Sequence, residues 1–193
     1  MQMIFRLLSL VGLAVTPTAG SLHEAGREQV GVTTSYDPAY VKLAYPNGDV
    51  PAERGVCTDV VIRAFRRAHA MDLQKLVHED MKANFGLYPK IWGLSRTDRN
   101  IDHRRVPNLR VWFTRQGWSR PVKQEAAEFL PGDIVTCTVP PHLPHVMIVS
   151  DRRSDDGSRP LIIHNIGAGA REEDRLFDFP LTGHYRPVIR KAE

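Results

Sequence analysis

Two cysteines and eight histidines stand out among the 193 residues, and their positions single out one sulfur and two imidazoles. Cys57 follows Gly55-Val56 and opens a run with helical spacing of apolar residues. A sulfur in the first turn of a helix lies beside unpaired N–H groups and the positive end of the helix dipole. Both favour thiolate over thiol. Thr58 and Asp59 stand in that first turn and can help cap the free N–H groups. Cys137 lies instead in Ile134-Val135-Thr136-Cys137, a strand pattern in which a thiol packs as a small apolar group. A nucleophilic thiol needs a proton acceptor, and histidine is the natural one. His145 opens the run His145-Val146-Met147-Ile148-Val149-Ser150, and His164 closes Leu161-Ile162-Ile163-His164. Neighbouring antiparallel strands would set the two rings side by side, with His164 orienting His145. The candidate catalytic residues are therefore Cys57, His145 and His164. Two cysteines in an exported chain also allow a plain Cys57–Cys137 disulfide in a non-catalytic binding module, and number alone does not choose.

The polar run Asn100 to Asn108 has two readings. One is a loop and helix start, held by Asp102–Arg104 pairing and an asparagine cap. The other is a cleft wall where Arg104 or Arg105 grips a substrate carboxylate and His103 offers a further donor. On the second reading Asn100, Asp102, His103, Arg104 and Arg105, with Asp59 and Asn165, form the candidate substrate-binding set. His78-Glu79-Asp80 reads as the solvated side of a helix. His142 and His145, with Cys57 and His164, would number four metal ligands. Pro140-Pro141 and Pro144 make that segment a turn, however, and no second closely spaced pair accompanies it, so no metal is assigned. No cofactor is assigned either, since Gly167-Ala168-Gly169-Ala170 lacks the Lys-Ser/Thr continuation of a phosphate loop.

These side chains need helices first and strands second. Thr58 to Ala70 has Val61, Ala64, Phe65 and Ala68 on one face and Arg63, Arg66 and Arg67 turned outward. A second helix starts at Asp72 as N-cap, with Leu73, Leu76, Val77 and Met81 inward. Phe85 to Asp102 is a loop, and a third helix runs from about Arg105 to Gln116, with Pro107 in its first turn. Strands follow at Ile134 to Val139, Val146 to Asp151, Leu161 to Asn165 and Tyr185 to Ile189, with a charged hairpin tip at Arg152 to Arg159. Ser21 to Gly55 is an irregular lead-in with a short helix around Pro38 to Val41. This order predicts an α+β fold, with helices on one face of an antiparallel sheet.

Residues 1–20 have the three-part layout of a secretory signal: a short basic start, an apolar run from Leu7 to Val15, and small residues ending at Gly20. Residues 21–193 then form one domain, placed in the periplasm or outside the cell. The apolar run is too short to span a bilayer, so stable membrane insertion is not expected. The net charge of +4 falls to about +3 once the signal is removed, which suits a negatively charged partner. Basic residues interleaved with aromatics are lacking, which makes nucleic acid the weaker choice beside an anionic envelope polymer. Oligomeric state leaves no mark on the sequence.

Gly55-Val56-Cys57-Thr58-Asp59, Pro131-Gly132-Asp133-Ile134-Val135, His145-Val146-Met147-Ile148-Val149 and Ile163-His164 together resemble the NlpC-type branch of papain-like peptidoglycan hydrolases. Over most of the mature chain the sequence is similar to a YijF-like bacterial envelope family of unknown function. The matching stretches include Asn100 to Asn108, His164-Asn165-Ile166-Gly167 and Gly183-His184-Tyr185-Arg186. The resemblance implies a papain-like domain with Cys57 as nucleophile, His145 as base and His164 as the aligning residue. It implies an amidase or endopeptidase acting on peptidoglycan or muropeptides. Met147 stands where that branch usually has glycine, and Thr58 where it usually has serine or another small residue. Both weaken the transfer of substrate.

Overall fold

The computed structural model describes residues 20–189. Nearly all of the expected export signal lies outside the described residues. A first helix, α1 (Leu22–Arg27), is opened by a reciprocal cap: the Ser21 side chain accepts from the Glu24 amide, and Glu24 accepts from the Ser21 amide. Two short strands, β1 (Ser35–Tyr36) and β2 (Arg54–Gly55), then pair in parallel, Tyr36 opposite Gly55. They lead directly into α2 (Cys57–His69), which is followed by α3 (Leu73–Ala83) and α4 (Val106–Arg115). The α2 helix ends at Ala70, which takes a left-handed conformation (φ 52°) while its N–H returns to the last carbonyls. Asp72 caps α3, and Pro107 stands in the first turn of α4, where its missing N–H costs nothing.

The second half is a six-stranded antiparallel sheet. Its strands are β3 (Ser119–Arg120), β4 (Ile134–Val139), β5 (Leu143–Arg153), β6 (Pro160–Asn165), β7 (Ala170–Glu173) and β8 (Leu181–Tyr185). They lie in the order β3-β8-β4-β5-β6-β7. Side-chain alternation gives the sheet two different faces. Val146, Ile148, Ile163 and Ile134 pack under the helices with Val61, Phe65, Leu109 and Phe113. Met147, Val149, Ile162, Val135 and Cys137 face the other way, beneath Phe129 and Leu176. The molecule is thus α+β with the helices on one face of a small antiparallel sheet.

The strand expected at Tyr185 to Ile189 lies earlier, at Leu181–Tyr185. Gly183 inside it lowers its strand propensity. Pairing on both sides, to β3 and β4, holds it in place. The short helix expected around Pro38 to Val41 does not form, and the ordered helix of the lead-in is α1. Two stretches singled out in the sequence meet in one buried cluster. Asp133 accepts from His184 Nε2 (2.7 Å) and from Arg186 (2.8 Å at each oxygen), which ties the end of β8 to the start of β4. Among the described residues no helix is long and apolar enough to cross a membrane.

Candidate active site

Cys57 is the first residue of α2 and is 4% exposed. The loop before it is fixed from two sides. Asp59 Oδ2 accepts the Val56 N–H at 2.7 Å and so caps the helix that Cys57 opens. Asn165 Nδ2, at the end of β6, donates to the carbonyls of Gly55 (3.0 Å) and Ser35 (3.2 Å), binding both short parallel strands to the sheet. The sulfur meets the start of β5, where the Val146 N–H is directed at it.

His145 is the residue before Val146, and Cys137 is its direct cross-strand neighbour on β4. His145 Nε2 lies 2.8 Å from His164 Nδ1 on the adjacent strand β6, with both rings buried. His164 Nε2 in turn lies 3.0 Å from Glu173 Oε2 on the edge strand β7. By alternation the two rings belong to the sheet face that carries Met147 and Ile162, not the face under the body of α2. The tip of the helix, at Cys57, meets β5 at the Val146 amide, next to His145. Among the described residues no hydrogen bond joins the sulfur to the His145 ring, and such bonds commonly tighten only when substrate is bound.

The electrostatics differ from the expectation for a helix-opening thiol. Burial pushes the Cys57 thiol up to about 11, against the opposing pull of the Val146, Thr58 and Cys57 backbone N–H groups, and Asp59 adds to the rise. Desolvation therefore outweighs the helix terminus, and the resting sulfur is a thiol. Burial likewise holds the His145 imidazole down to about 3, helped by His164 and Arg175, and keeps His164 below the usual histidine range despite Glu173. Burial thus drives the Cys57 thiol and both imidazoles towards their uncharged forms. Cys57 and Cys137 are both free thiols, so the disulfide permitted by the sequence is not formed.

The polar run from Asn100 forms an internal brace. Arg104 Nε and Nη2 bind the two Asp59 oxygens, each at 2.9 Å, and its Nη1 reaches the Ala39 carbonyl at 3.2 Å. Asp102 is fully buried and accepts from the Asp98 N–H (2.8 Å) and from His78 Nδ1 (3.0 Å). His103 is buried as well, and its imidazole is held down to about 3, chiefly by desolvation and then by Arg104. Asn100 binds the Leu43 N–H (2.9 Å) and Tyr40 (2.9 Å), while Arg105 stacks on Trp92 with its guanidinium 4.1 Å from the ring centre. Asp59, Asp102, Arg104 and Asn165 hold α2, α3 and the lead-in together, whereas Asp102 Oδ1, His103 Nδ1 and Arg105 Nη1 are buried without a hydrogen-bond partner among the described residues. His78 and Asp80 are likewise not solvated helix surface. His78 pairs with Asp102, and Asp80 accepts from Arg115 (2.7 and 2.9 Å) and Tyr88 (2.6 Å).

Two residues at the site were not marked in the sequence. Glu173 follows a glycine-rich loop and carries no apolar alternation that would announce a strand. Tyr36 stands opposite Gly55 in the parallel pair, and its phenol is pushed up to about 12 by partial burial, then by the neighbouring Cys57 and Asp59. A hollow of about 210 Å³ opens beside His164 and Glu173, with Gly167, Arg171 and Arg175 in its wall. A far larger groove, about 1870 Å³, runs along the C-terminal half of α2 past Lys75 and Trp118. It shares no residue with the Cys57 and His145 region, so its size does not mark it as the reactive site. Among the described residues no three His, Cys, Asp or Glu side chains converge as metal ligands.

Residues 23–187 match the model of the family described as a domain of unknown function (DUF1287). The chain belongs to that family. It is also similar to the uncharacterized protein YijF of Escherichia coli (strain K12), at 52% identity over 190 residues that cover 94% of this chain and 92% of the relative. Neither the family's name nor the relative's specifies an activity, so a function has to be argued from the site itself.

Proposed function

We propose that this protein is an exported cysteine hydrolase that cleaves amide bonds in the peptide stems of the bacterial cell wall. Cys57 is its nucleophile, His145 its base, and His164 the residue that aligns the base. The observation that carries the reading is the 2.8 Å bond between the buried His145 and His164 rings, at the start of the strand whose Val146 amide meets the Cys57 sulfur. A helix opened by a cysteine and backed by an antiparallel sheet with histidines on adjacent strands supports a papain-like domain of the NlpC type. The signal-like sequence of residues 1–20 and the net charge of +4 support export towards an anionic envelope polymer.

In the proposed reaction the His145 imidazole takes the Cys57 proton as the sulfur attacks the substrate carbonyl carbon. The developing oxyanion accepts from the Cys57 N–H, and from the Tyr36 hydroxyl as second donor. Collapse breaks the C–N bond, and the imidazolium gives its proton to the leaving amine. Water, deprotonated by His145, then attacks the thioester and frees the acid and the thiol. Because the sulfur and the ring are driven towards their uncharged forms, proton transfer accompanies the attack on the carbonyl rather than preceding it.

The test is mass spectrometry of purified muropeptides before and after incubation with the protein and with Cys57→Ala. The expected result is new stem-peptide fragments with the wild type and none with the variant. Cleavage confined to thioesters or lipid acyl donors would move the protein to the thioesterases or acyltransferases. Undiminished activity in Cys57→Ala would overturn the proposal.

A further inference from the structure

His145, His164 and Glu173 lie in a row across three adjacent strands, linked by contacts of 2.8 Å and 3.0 Å. The arrangement of protons along that row follows from the chemistry of each end. A carboxylate accepts hydrogen bonds and donates none, so the His164 nitrogen facing Glu173, Nε2, must carry a hydrogen. A neutral imidazole has one N–H, which leaves His164 Nδ1 bare and able only to accept. The 2.8 Å contact then requires the hydrogen on His145 Nε2, and His145 Nδ1 becomes the unprotonated nitrogen.

We infer that Glu173 is a positioning residue that acts through His164 to hold His145 in the tautomer whose free lone pair is on Nδ1. The tautomer rests on these hydrogen bonds alone, whereas its use in deprotonating Cys57 rests on the function proposed above. Glu173 suits the task because it lies on the edge strand, paired in register with Ile162, and its carboxylate reaches the ring across that edge. Its other oxygen is 3.6 Å from Arg171 Nη1, a side chain 56% exposed, so Oε2 is left to the imidazole. Arg175, the other cation of the adjoining hollow, is directed to Asp178 at 2.7 Å. The competing arrangement would charge His164 and reverse its bond to His145, which puts the hydrogen on His145 Nδ1. Burial of both rings opposes that charge.

Long-range proton–nitrogen NMR of the ¹⁵N-labelled protein near neutral pH reads the tautomers directly, without any assay of activity. Both rings are expected to be neutral and protonated at Nε2. In Glu173→Ala a second tautomer of both rings should appear, whereas Glu173→Gln, which keeps an acceptor oxygen, should retain the wild-type pattern. Backbone amide spectra of the variants establish that each is folded. A wild-type His145 protonated at Nδ1, or an unaltered tautomer in folded Glu173→Ala, overturns the inference. Alkylation of Cys57 by iodoacetamide provides a separate readout, expected to slow by about tenfold in Glu173→Ala, in the range of outer-shell effects. A tautomer shift with an unchanged alkylation rate would uphold the role of Glu173 and remove His145 as the partner of Cys57.

Discussion

Arg104 and Asp59 meet through two parallel hydrogen bonds of 2.9 Å, with the two side chains 2% and 4% exposed. The same carboxylate accepts the Val56 N–H, so one buried ion pair fixes the helix start at which the sulfur stands. Removing the cation leaves a buried carboxylate with a single backbone donor. Arg104→Met should cost about 3–5 kcal/mol of stability. Urea unfolding measures it, and an unchanged midpoint would show that the pair contributes little. Combining Arg104→Met with Asp59→Leu should cost less than the two single changes added together.

Acid should unfold the protein through its buried imidazoles. His145 and His103 are both held down to about 3 in the folded chain, below the ordinary histidine value near 6.5. Between those values the unfolded chain binds protons that the folded chain refuses. Stability is therefore complete above about pH 6.5 and falls as pH drops towards 3, by up to about 1.4 kcal/mol per pH unit for each ring. Denaturation midpoints at pH 7, 6 and 5 should decline progressively, and His103→Gln should flatten the decline. A midpoint independent of pH across that range would contradict the burial argument.

The Cys57 thiol, pushed up to about 11, should alkylate slowly at neutral pH, with a rate that keeps rising through pH 9. Mass spectrometry of the iodoacetamide adduct against pH gives the profile. A plateau below pH 7 would mean that a thiolate–imidazolium pair already exists in the resting protein.

Asn165→Ala removes the two donors that bind the Ser35 and Gly55 carbonyls to β6. A loss of about 1–3 kcal/mol is expected from the unpaired carbonyls. Amide exchange should quicken most strongly at residues 35–37 and 54–57. Uniform exchange rates in the variant would show that the lead-in is held by other contacts.

The α2 helix, the strand Ile134–Val139 and the adjacency of His145 and His164 were all legible in the sequence. Each rests on a local period or a run of β-branched residues. The strand Ala170–Glu173 was not legible: it begins after glycines and continues Arg-Glu-Glu, a charged edge of the kind that discourages further pairing. Glu173 was hidden for the same reason. The polar run Asn100 to Asn108 left two readings open in the sequence, a loop and helix start held by Asp102–Arg104 pairing and a wall that grips a ligand. Its partners are distant in sequence, Asp59 for Arg104 and His78 for Asp102, and no local pattern announces such pairings. The helix-terminus argument predicted a thiolate at Cys57. It omitted the cost of burial, which only the packed structure reveals.

Arg27, in the first helix, donates to Glu172 across 145 positions, and Asn165 holds Gly55 across 110. Such distant pairings mean that the early half of the chain cannot settle until the last strands have been synthesised. A relatively slow, topology-limited folding reaction follows. During synthesis the Cys57 sulfur has neither its helix cap at Asp59 nor the Val146 amide in place. Whatever chemistry this centre performs can begin only once the whole polypeptide has been made and has folded.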